Sequence, residues 1–414
     1  MSAPGISVTC DTEARDALIT LSRECGLTMD GCSIRRSSSR FCLGVEHGDY
    51  NGMELFGVGT DRFLWMAYRP NDTGRLRLFS GNFPGDGLVD LDLSRLPEPG
   101  TLPDSWARFP AGAAWMLSQE SGPLTRGMDA VLIGNIPGGG MSRSASLTLN
   151  LLISLTEVNG LPLTHDMGLV DLAQAVENHY IGSPCGNLDQ IMILFAKAGM
   201  GTHYRPSDRS IRHVPLGAGA PDFRIMTLDT GTVRPGLEKS TYRIRHTECL
   251  QLRDLCREAF GFGSVGEIRT QEDFEKVHAR FSESHPDLME RLSYLFRAGQ
   301  RFGEMLSAWE RGDIATVGKV FRADGHGLRD EFRISGPELE TMCDLVRTVP
   351  GVLGERMLGG GDKGASGALV LAESEEEVRM AVTAGYPRSH PDYADRFAIH
   401  SCRMVDGITE LPGW

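Results

Sequence analysis

Ala130-Val131-Leu132-Ile133, then Gly138-Gly139-Gly140-Met141-Ser142-Arg143-Ser144-Ala145, then Leu147, Leu151, Leu155 and Val158: this stretch decides the fold. Four apolar residues bounded by turn formers predict a buried strand. The later apolar residues recur at helical spacing until Asn159-Gly160 stops them. The unit is strand, glycine turn, helix. Glycines let the backbone approach a ligand closely, and the following helix start offers unpaired N–H groups at the positive end of its dipole. Ser142 and Ser144 add hydroxyls suited to phosphate or Mg2+, and Arg143 adds a full charge. A tight turn with a serine cap has the same composition, so the loop alone leaves ligand binding and a plain turn both open.

Working outward, Leu169, Leu172, Ala173 and Val176 predict a helix from about Leu169 to Tyr180, and another should begin near Pro184-Cys185-Gly186 with Asp189 in its first turns. Upstream, Ala14, Ala17, Leu18 and Leu21 share one helical face. A second cluster, Gly359-Gly360-Gly361, precedes a strand at Ala368-Leu369-Val370-Leu371. Ser374-Glu375-Glu376-Glu377 then reads as a capping box for a helix ending near Gly385. Strands and helices interleave throughout, so the fold class is α/β (α+β). The Gly/Pro-rich stretch Pro215–Asp222 is the best boundary between two domains, residues 1–215 and 216–414.

The chain has 414 residues, enough for two domains, with 41% hydrophobic and 23% charged residues, ordinary values for a soluble protein. Its 42 Lys+Arg against 55 Asp+Glu give a net charge of −13. That argues against nucleic-acid or anionic-membrane partners, which need a basic surface. The 9 cysteines are scattered with no Cys-x-x-Cys, which disfavours a disulfide framework or structural zinc and fits a reducing cytoplasm. Asp11, Glu13, Arg15 and Asp16 are incompatible with a secretory h-region, and no apolar run approaches the ~20 residues of a membrane span. A cytoplasmic protein is expected; the oligomeric state is not readable.

No Gly-x-x-x-x-Gly-Lys-Ser/Thr, His-Glu-x-x-His or Gly-x-Ser-x-Gly signature is present. The cluster Arg40, Glu46, His47, Asp49, Tyr50, Asn51 is interleaved with glycines and suits hydrogen bonds to several hydroxyls of a polyol. Composition alone favours a solvated polar loop. Asp189 is an acid entering an apolar segment, either a helix N-terminal charge or a catalytic base.

Taken together these segments resemble the galactokinase branch of the GHMP small-molecule kinases, over nearly the whole chain. Arg40-Phe41-Cys42-Leu43-Gly44-Val45-Glu46-His47-Gly48-Asp49-Tyr50-Asn51-Gly52 is similar to the family signature Gly-Arg-Val-Asn-Leu-Ile-Gly-Glu-His-Thr-Asp-Tyr-Asn-Gly. Glu177 through Gln190 resembles Glu-His-Glu-Phe-Val-Gly-Val-Pro-Cys-Gly-Ile-Met-Asp-Gln, and Ser240-Thr241-Tyr242-Arg243-Ile244-Arg245 resembles Ser-Glu-Tyr-x-x-Arg. His326 to Asp330 through Pro337-Glu338-Leu339 matches a further stretch, and Gly354-Glu355-Arg356-Met357-Leu358-Gly359-Gly360-Gly361 the C-terminal glycine motif.

The resemblance implies a two-domain fold with the active site in the cleft between domains, and transfer of the ATP γ-phosphate to the anomeric C1 hydroxyl of galactose or a related monosaccharide. It implies that Asp189 faces that hydroxyl as base or electrostatic partner, with Arg40 stabilising the transferred charge. Glu46, His47, Asp49 and Tyr242 would hold sugar hydroxyls, with the Gly186 backbone near the ring. Gly138, Gly139, Gly140, Ser142, Arg143 and Ser144 would cradle ATP, Trp106 would lie near the adenine, and Ser144 with Glu177 would ligate Mg2+. Arabinose, a uronic acid or a heptose are alternative substrates, and a silent sugar- and nucleotide-binding sensor is an alternative function.

Departures from the family pattern fall near the chemistry. The serine loop is one residue shorter, or shifted at Pro137, and its middle serine is Arg143. Ser38-Ser39 replaces Pro-Gly before Arg40, and Cys42 replaces Asn. Thr230-Gly231-Thr232 replaces Asn-Ser-Asn, and Asp362-Lys363 replaces Phe-Gly. Arg143 and Lys363 add cations that either serve the phosphates or fill their site. Thr230, Gly231, Thr232, Asn187 and Gly48 are expected to alter the sugar pocket's lining.

Overall fold

The computed structural model describes residues 8–162, 164–232 and 240–414. The first half contains α1 (Asp11–Glu24), β1 (Ser33–Gly44), β2 (Leu55–Asn71), β3 (Arg75–Ser80), β4 (Val89–Asp92), α2 (Arg108–Ser121), β5 (Gly127–Gly134), α3 (Arg143–Val158) and α4 (Met167–Ala175). Then α4 continues as a π-helical segment, Val176–Ile181, before α5 (Leu188–Leu194), β6 (Met200–Arg205) and β7 (Ser210–Pro215). The second half holds β8 (Phe223–Asp229), α6 (Thr241–Phe260), α7 (Gln271–Phe281), α8 (Pro286–Arg311), α9 (Ile314–Asp330), α10 (Pro337–Arg347), β9 (Val352–Met357), β10 (Ala365–Leu371), α11 (Glu375–Ser389), β11 (Ala398–Cys402) and β12 (Ile408–Leu411).

Two sheets organise these elements. The first has the order β12-β1-β2-β5-β3-β4, with β6 also paired to β2 and β7 to β6. Its pairs are antiparallel except β3 with β5. The second sheet, β11-β8-β10-β9, is antiparallel. The fold is mixed α/β. Strand β7 ends at Pro215 and β8 opens at Phe223 in the other sheet, but β12 returns to pair Ile34 with Leu411 on β1. One face of the first sheet is covered by α1 through Ala14, Leu18 and Leu21 packed on Trp65 and Ile133. The largest core cluster runs through both halves, and Phe41 of β1 stacks on Phe321 of α9 at 5.4 Å.

Strand β1 is almost wholly buried although it reads Ser-Ile-Arg-Arg-Ser-Ser-Ser-Arg at its start. Alternate residues Arg35, Ser37 and Ser39 face α3, whose Ser146, Asn150 and Ser154 recur at the helical spacing of four. Ser37 Oγ lies 2.8 Å from Ser146 Oγ, Arg35 Nη1 donates to Ser154 Oγ at 2.5 Å, and Ser39 Oγ donates to Met141 O at 2.7 Å. This polar seam pairs buried hydrogen-bonding groups on both elements, though Asn150 Oδ1 has no partner among the described residues, and it fixes the glycine loop against β1. The Ser38-Ser39 substitution is thereby accounted for at Ser39.

Two local expectations need correction. Ser374 makes no side-chain cap; it ends a 3-10 turn at Ala372–Ser374 that runs straight into α11. That helix continues past Gly385 to Ser389, because Gly385 is a close-approach position: an added Cβ would lie 2.2 Å from Leu345 Cδ2 on α10. Among the described residues, no helix is long and apolar enough to cross a membrane.

Candidate active site

Strand β1 ends beside the glycine loop, and there Arg40 is buried at 2% exposure. Its Nε donates to Asp189 Oδ1 at 2.7 Å, its Nη2 lies 2.7 Å from the same oxygen, and its Nη1 donates to Gly140 O at 2.7 Å. One guanidinium thus joins an acid from the first turn of α5 to the backbone of the loop before α3. Burial opposes the charge on Arg40, but Asp189 and Glu46 outweigh it and hold its pKa above the ordinary arginine value. The pair opens on a cleft of about 700 Å³ lined from both halves of the chain.

On one side of Asp189 stands an acidic pocket. Glu46, buried, lies between two guanidinia: Arg356 Nη2 at 3.1 Å from Oε2 and Arg40 Nη2 at 4.0 Å from Oε1. Burial raises the Glu46 pKa, while Arg356 and Arg40 oppose that rise. His47 takes a left-handed φ of 63° and places Nδ1 2.9 Å from Tyr50 Oη. Asp49 accepts the Leu188 N–H at 3.1 Å, and burial pushes its carboxyl up to about 6. Gly186 is required by that carboxylate: a Cβ there would lie 1.9 Å from Asp49 Oδ2. Tyr242, in the first turn of α6, is buried and closes this pocket. The loop that composition alone assigned to solvent is in fact enclosed.

On the other side, Gly138, Gly139 and Gly140 lead into α3. The second glycine cluster meets them: an added Cβ on Gly359, which has φ 66°, would lie 3.0 Å from Gly140 Cα. Absence of side chains lets two loops from opposite halves of the chain lie in contact. Ser142, at φ 60°, precedes α3 without capping it. Arg143 lines the cleft and leaves it open, whereas Lys363 is not among the lining residues. Trp106 is 5% exposed at the far end, and its indole N–H has no hydrogen-bond partner among the described residues. Glu177 sits in the π-helical segment and hydrogen-bonds Ser144 and Gln190. Burial, with Asp189 adding, raises its carboxyl to about 7.

Among the described residues no group of three or more His, Cys, Asp or Glu side chains is placed to hold a metal ion. Ser144 and Glu177 nevertheless supply one hydroxyl and one carboxylate at the glycine loop. These are hard oxygen donors of the kind Mg2+ takes alongside water and phosphate oxygens. Glu177 also carries a pH-dependent cost. Its folded carboxyl holds a proton up to about 7, whereas the ordinary glutamate value is 4.5. The stability from that extra bound proton is full below pH 4.5 and lost as pH rises through 7. Glu177→Gln should therefore raise Tm at pH 8 and leave it unchanged at pH 4, measured without Mg2+; equal shifts at both pH values would exclude this cost.

Every predicted site residue lines the one cleft. Thr230, Gly231, Thr232, Asn187 and Gly48 do not. Thr230 Oγ1 donates to Gly364 O at 2.5 Å and Thr232 Oγ1 accepts the Gly364 N–H at 3.0 Å, so the altered threonines clamp the C-terminal glycine loop instead. Sequence reasoning assigned no role to Arg356. Its signal was a charged residue inside an otherwise apolar and glycine-rich stretch.

A glycine–serine loop at a helix start, facing an acid-lined pocket across one cleft, defines a small-molecule kinase of the GHMP class, and residues 108–197 match the family model for the GHMP kinases N terminal domain. Galactokinase from Chloroflexus aggregans is 31% identical over 356 residues, 85% of this chain and 87% of the relative. The solved structure of Lactococcus lactis galactokinase complexed with galactose aligns with a TM-score of 0.87 and 25% identity, covering 96% of this chain and 99% of that one. The Methanococcus jannaschii mevalonate kinase structure, at 15% identity and a TM-score of 0.64, shares the fold alone. The chain belongs to the galactokinase family.

Proposed function

We propose that this chain transfers the γ-phosphate of ATP to the C1 hydroxyl of galactose. The observation that carries this reading is the 2.7 Å contact between Arg40 and Asp189 at the junction of the acidic pocket and the glycine loop. A sugar held by Glu46, His47, Asp49 and Tyr242, over the Gly186 backbone, presents its anomeric oxygen to Asp189. Asp189 orients that hydroxyl and takes its proton. Arg40 spans Asp189 and the Gly140 carbonyl, and so stands where charge accumulates on the moving phosphoryl group. Phosphoryl transfer depends mainly on such positioning and neutralisation. Ser144 and Glu177 would hold Mg2+, which supplies further neutralisation when bound. The loop amides of Gly138, Gly139 and Gly140 face the triphosphate, and Trp106 the adenine.

The two sheets serve as two lobes, residues 1–215 and 216–414, with β12 handed back to the first. A uronic acid is a poor fit, because its carboxylate would enter a pocket already holding Glu46, Asp49 and Asp189. The reasons for preferring another sugar weaken too, since the altered threonines lie outside the cleft. The open cleft beside Arg143 supports turnover over a silent sensor. ADP release over a panel of monosaccharides with Mg-ATP tests this: galactose should give the highest kcat/KM. Faster turnover of arabinose or a heptose would reassign the substrate, and binding of sugar and nucleotide without ADP release would leave a sensor.

A further inference from the structure

The family resemblance puts Arg143 among the residues that would cradle ATP, but the phosphoryl-transfer steps proposed above leave its guanidinium without a task. Arg143 is the first residue of α3, and its Cζ sits 5.3 Å over the ring of Phe83, itself 38% exposed at the cleft. Among the described residues no carboxylate lies within ion-pair distance of it; its electrostatic neighbour is Asp229. That carboxylate is engaged elsewhere, accepting the N–H groups of Gly231 and Gly138. An arginine held by an aromatic face keeps its planar fork of donors available.

Beside it, the 16-residue helix α3 begins with no side-chain cap, since the left-handed Ser142 turns its hydroxyl away from that task. Ser142 lines the cleft at only 9% exposure, and its buried Oγ has no hydrogen-bond partner among the described residues. A helix N-terminus and an uncommitted guanidinium therefore face the same space, with an unpartnered buried hydroxyl on the adjoining residue. Together they suit an anion with several acceptor oxygens, one wide enough to take the fork and the helix start at once.

The geometry points to Arg143 as a phosphate-reading residue that grips the polyphosphate chain of a nucleotide directly. Nucleotide affinity in this chain then rests partly on its own cation and only partly on a divalent metal. The assignment depends on the nucleotide site proposed above. Calorimetric titrations of ADP, AMP and adenosine, in EDTA and in Mg2+, into the wild type, Arg143→Ser and Arg143→Lys separate the two. In EDTA, Arg143→Ser should weaken ADP about tenfold or more, the loss of one charged hydrogen-bonding group. Adenosine and galactose affinities should stay as in the wild type, and Arg143→Lys should fall between, keeping the charge without the fork. Equal ADP affinities in the wild type and Arg143→Ser would overturn the role of Arg143 and leave the kinase reading standing. Equal losses for ADP and adenosine would also overturn it, placing the residue on the nucleoside. A wild type that binds no nucleotide even with Mg2+ would overturn both.

Discussion

Asp189→Asn should lower kcat for ADP release by about 10²–10⁴-fold, the range a positioned proton acceptor supplies, and change galactose affinity only a few-fold. Asparagine keeps the shape of the side chain and one acceptor oxygen for the Arg40 Nε now bonded at 2.7 Å. It loses the ability to take the C1 proton. It also leaves Arg40 with Glu46 Oε1, at 4.0 Å, as its remaining carboxylate within ion-pair distance. Single-turnover rates together with calorimetry of galactose separate chemistry from binding. A mutant that turns over at the wild-type rate would remove Asp189 from the proton transfer.

Arg356→Leu should cost about 3–5 kcal/mol of unfolding free energy, because breaking a buried pair strands the remaining charge. Arg356 is fully buried, its Nη2 shared between Glu46 Oε2 at 3.1 Å and Cys42 O at 2.9 Å, with its Cζ 4.5 Å over Phe321. Without it, one guanidinium fewer opposes the effect of burial on Glu46, so that carboxyl is pushed further toward its neutral form. Galactose binding should weaken as well, since a carboxyl pushed toward its neutral form accepts weaker hydrogen bonds from sugar hydroxyls. The double variant Arg356→Leu/Glu46→Gln should regain much of the lost stability but none of the affinity. Additive losses in denaturant titrations would mean that the two side chains are not energetically coupled.

The phosphate-loop unit was legible because periodicity is local: β5 and α3 show their apolar spacing within a dozen residues each. Asp189 on a helix's first turn was legible for the same reason. Strand β1 was not. Its Ser-Ser-Ser and three arginines look like a solvated segment until they are set against Ser146, Asn150 and Ser154 of α3, and that pairing is tertiary. Enclosure of Glu46, His47 and Asp49 was likewise invisible to composition, and their proposed roles came from the resemblance. The part of Arg356 depends on Phe321 and Glu46, neither of them near it in sequence. At Gly385 a helix-stop signal lost to packing, where Leu345 occupies the space a side chain would need.

The pairing of β12 with β1 has a consequence for biosynthesis. The outer edge of β1 has no partner until residues Ile408–Leu411 have left the ribosome, roughly 20–70 s after β1 itself at ordinary elongation rates of ~5–20 residues per second. Throughout that interval a nascent chain displays a bare strand edge next to Arg35, whose later partners include Glu410 at 3.0 Å. Such edges invite pairing between neighbouring chains, so this protein should lean on chaperones during translation more than its finished sheet, in which the short β12 covers that edge, would imply.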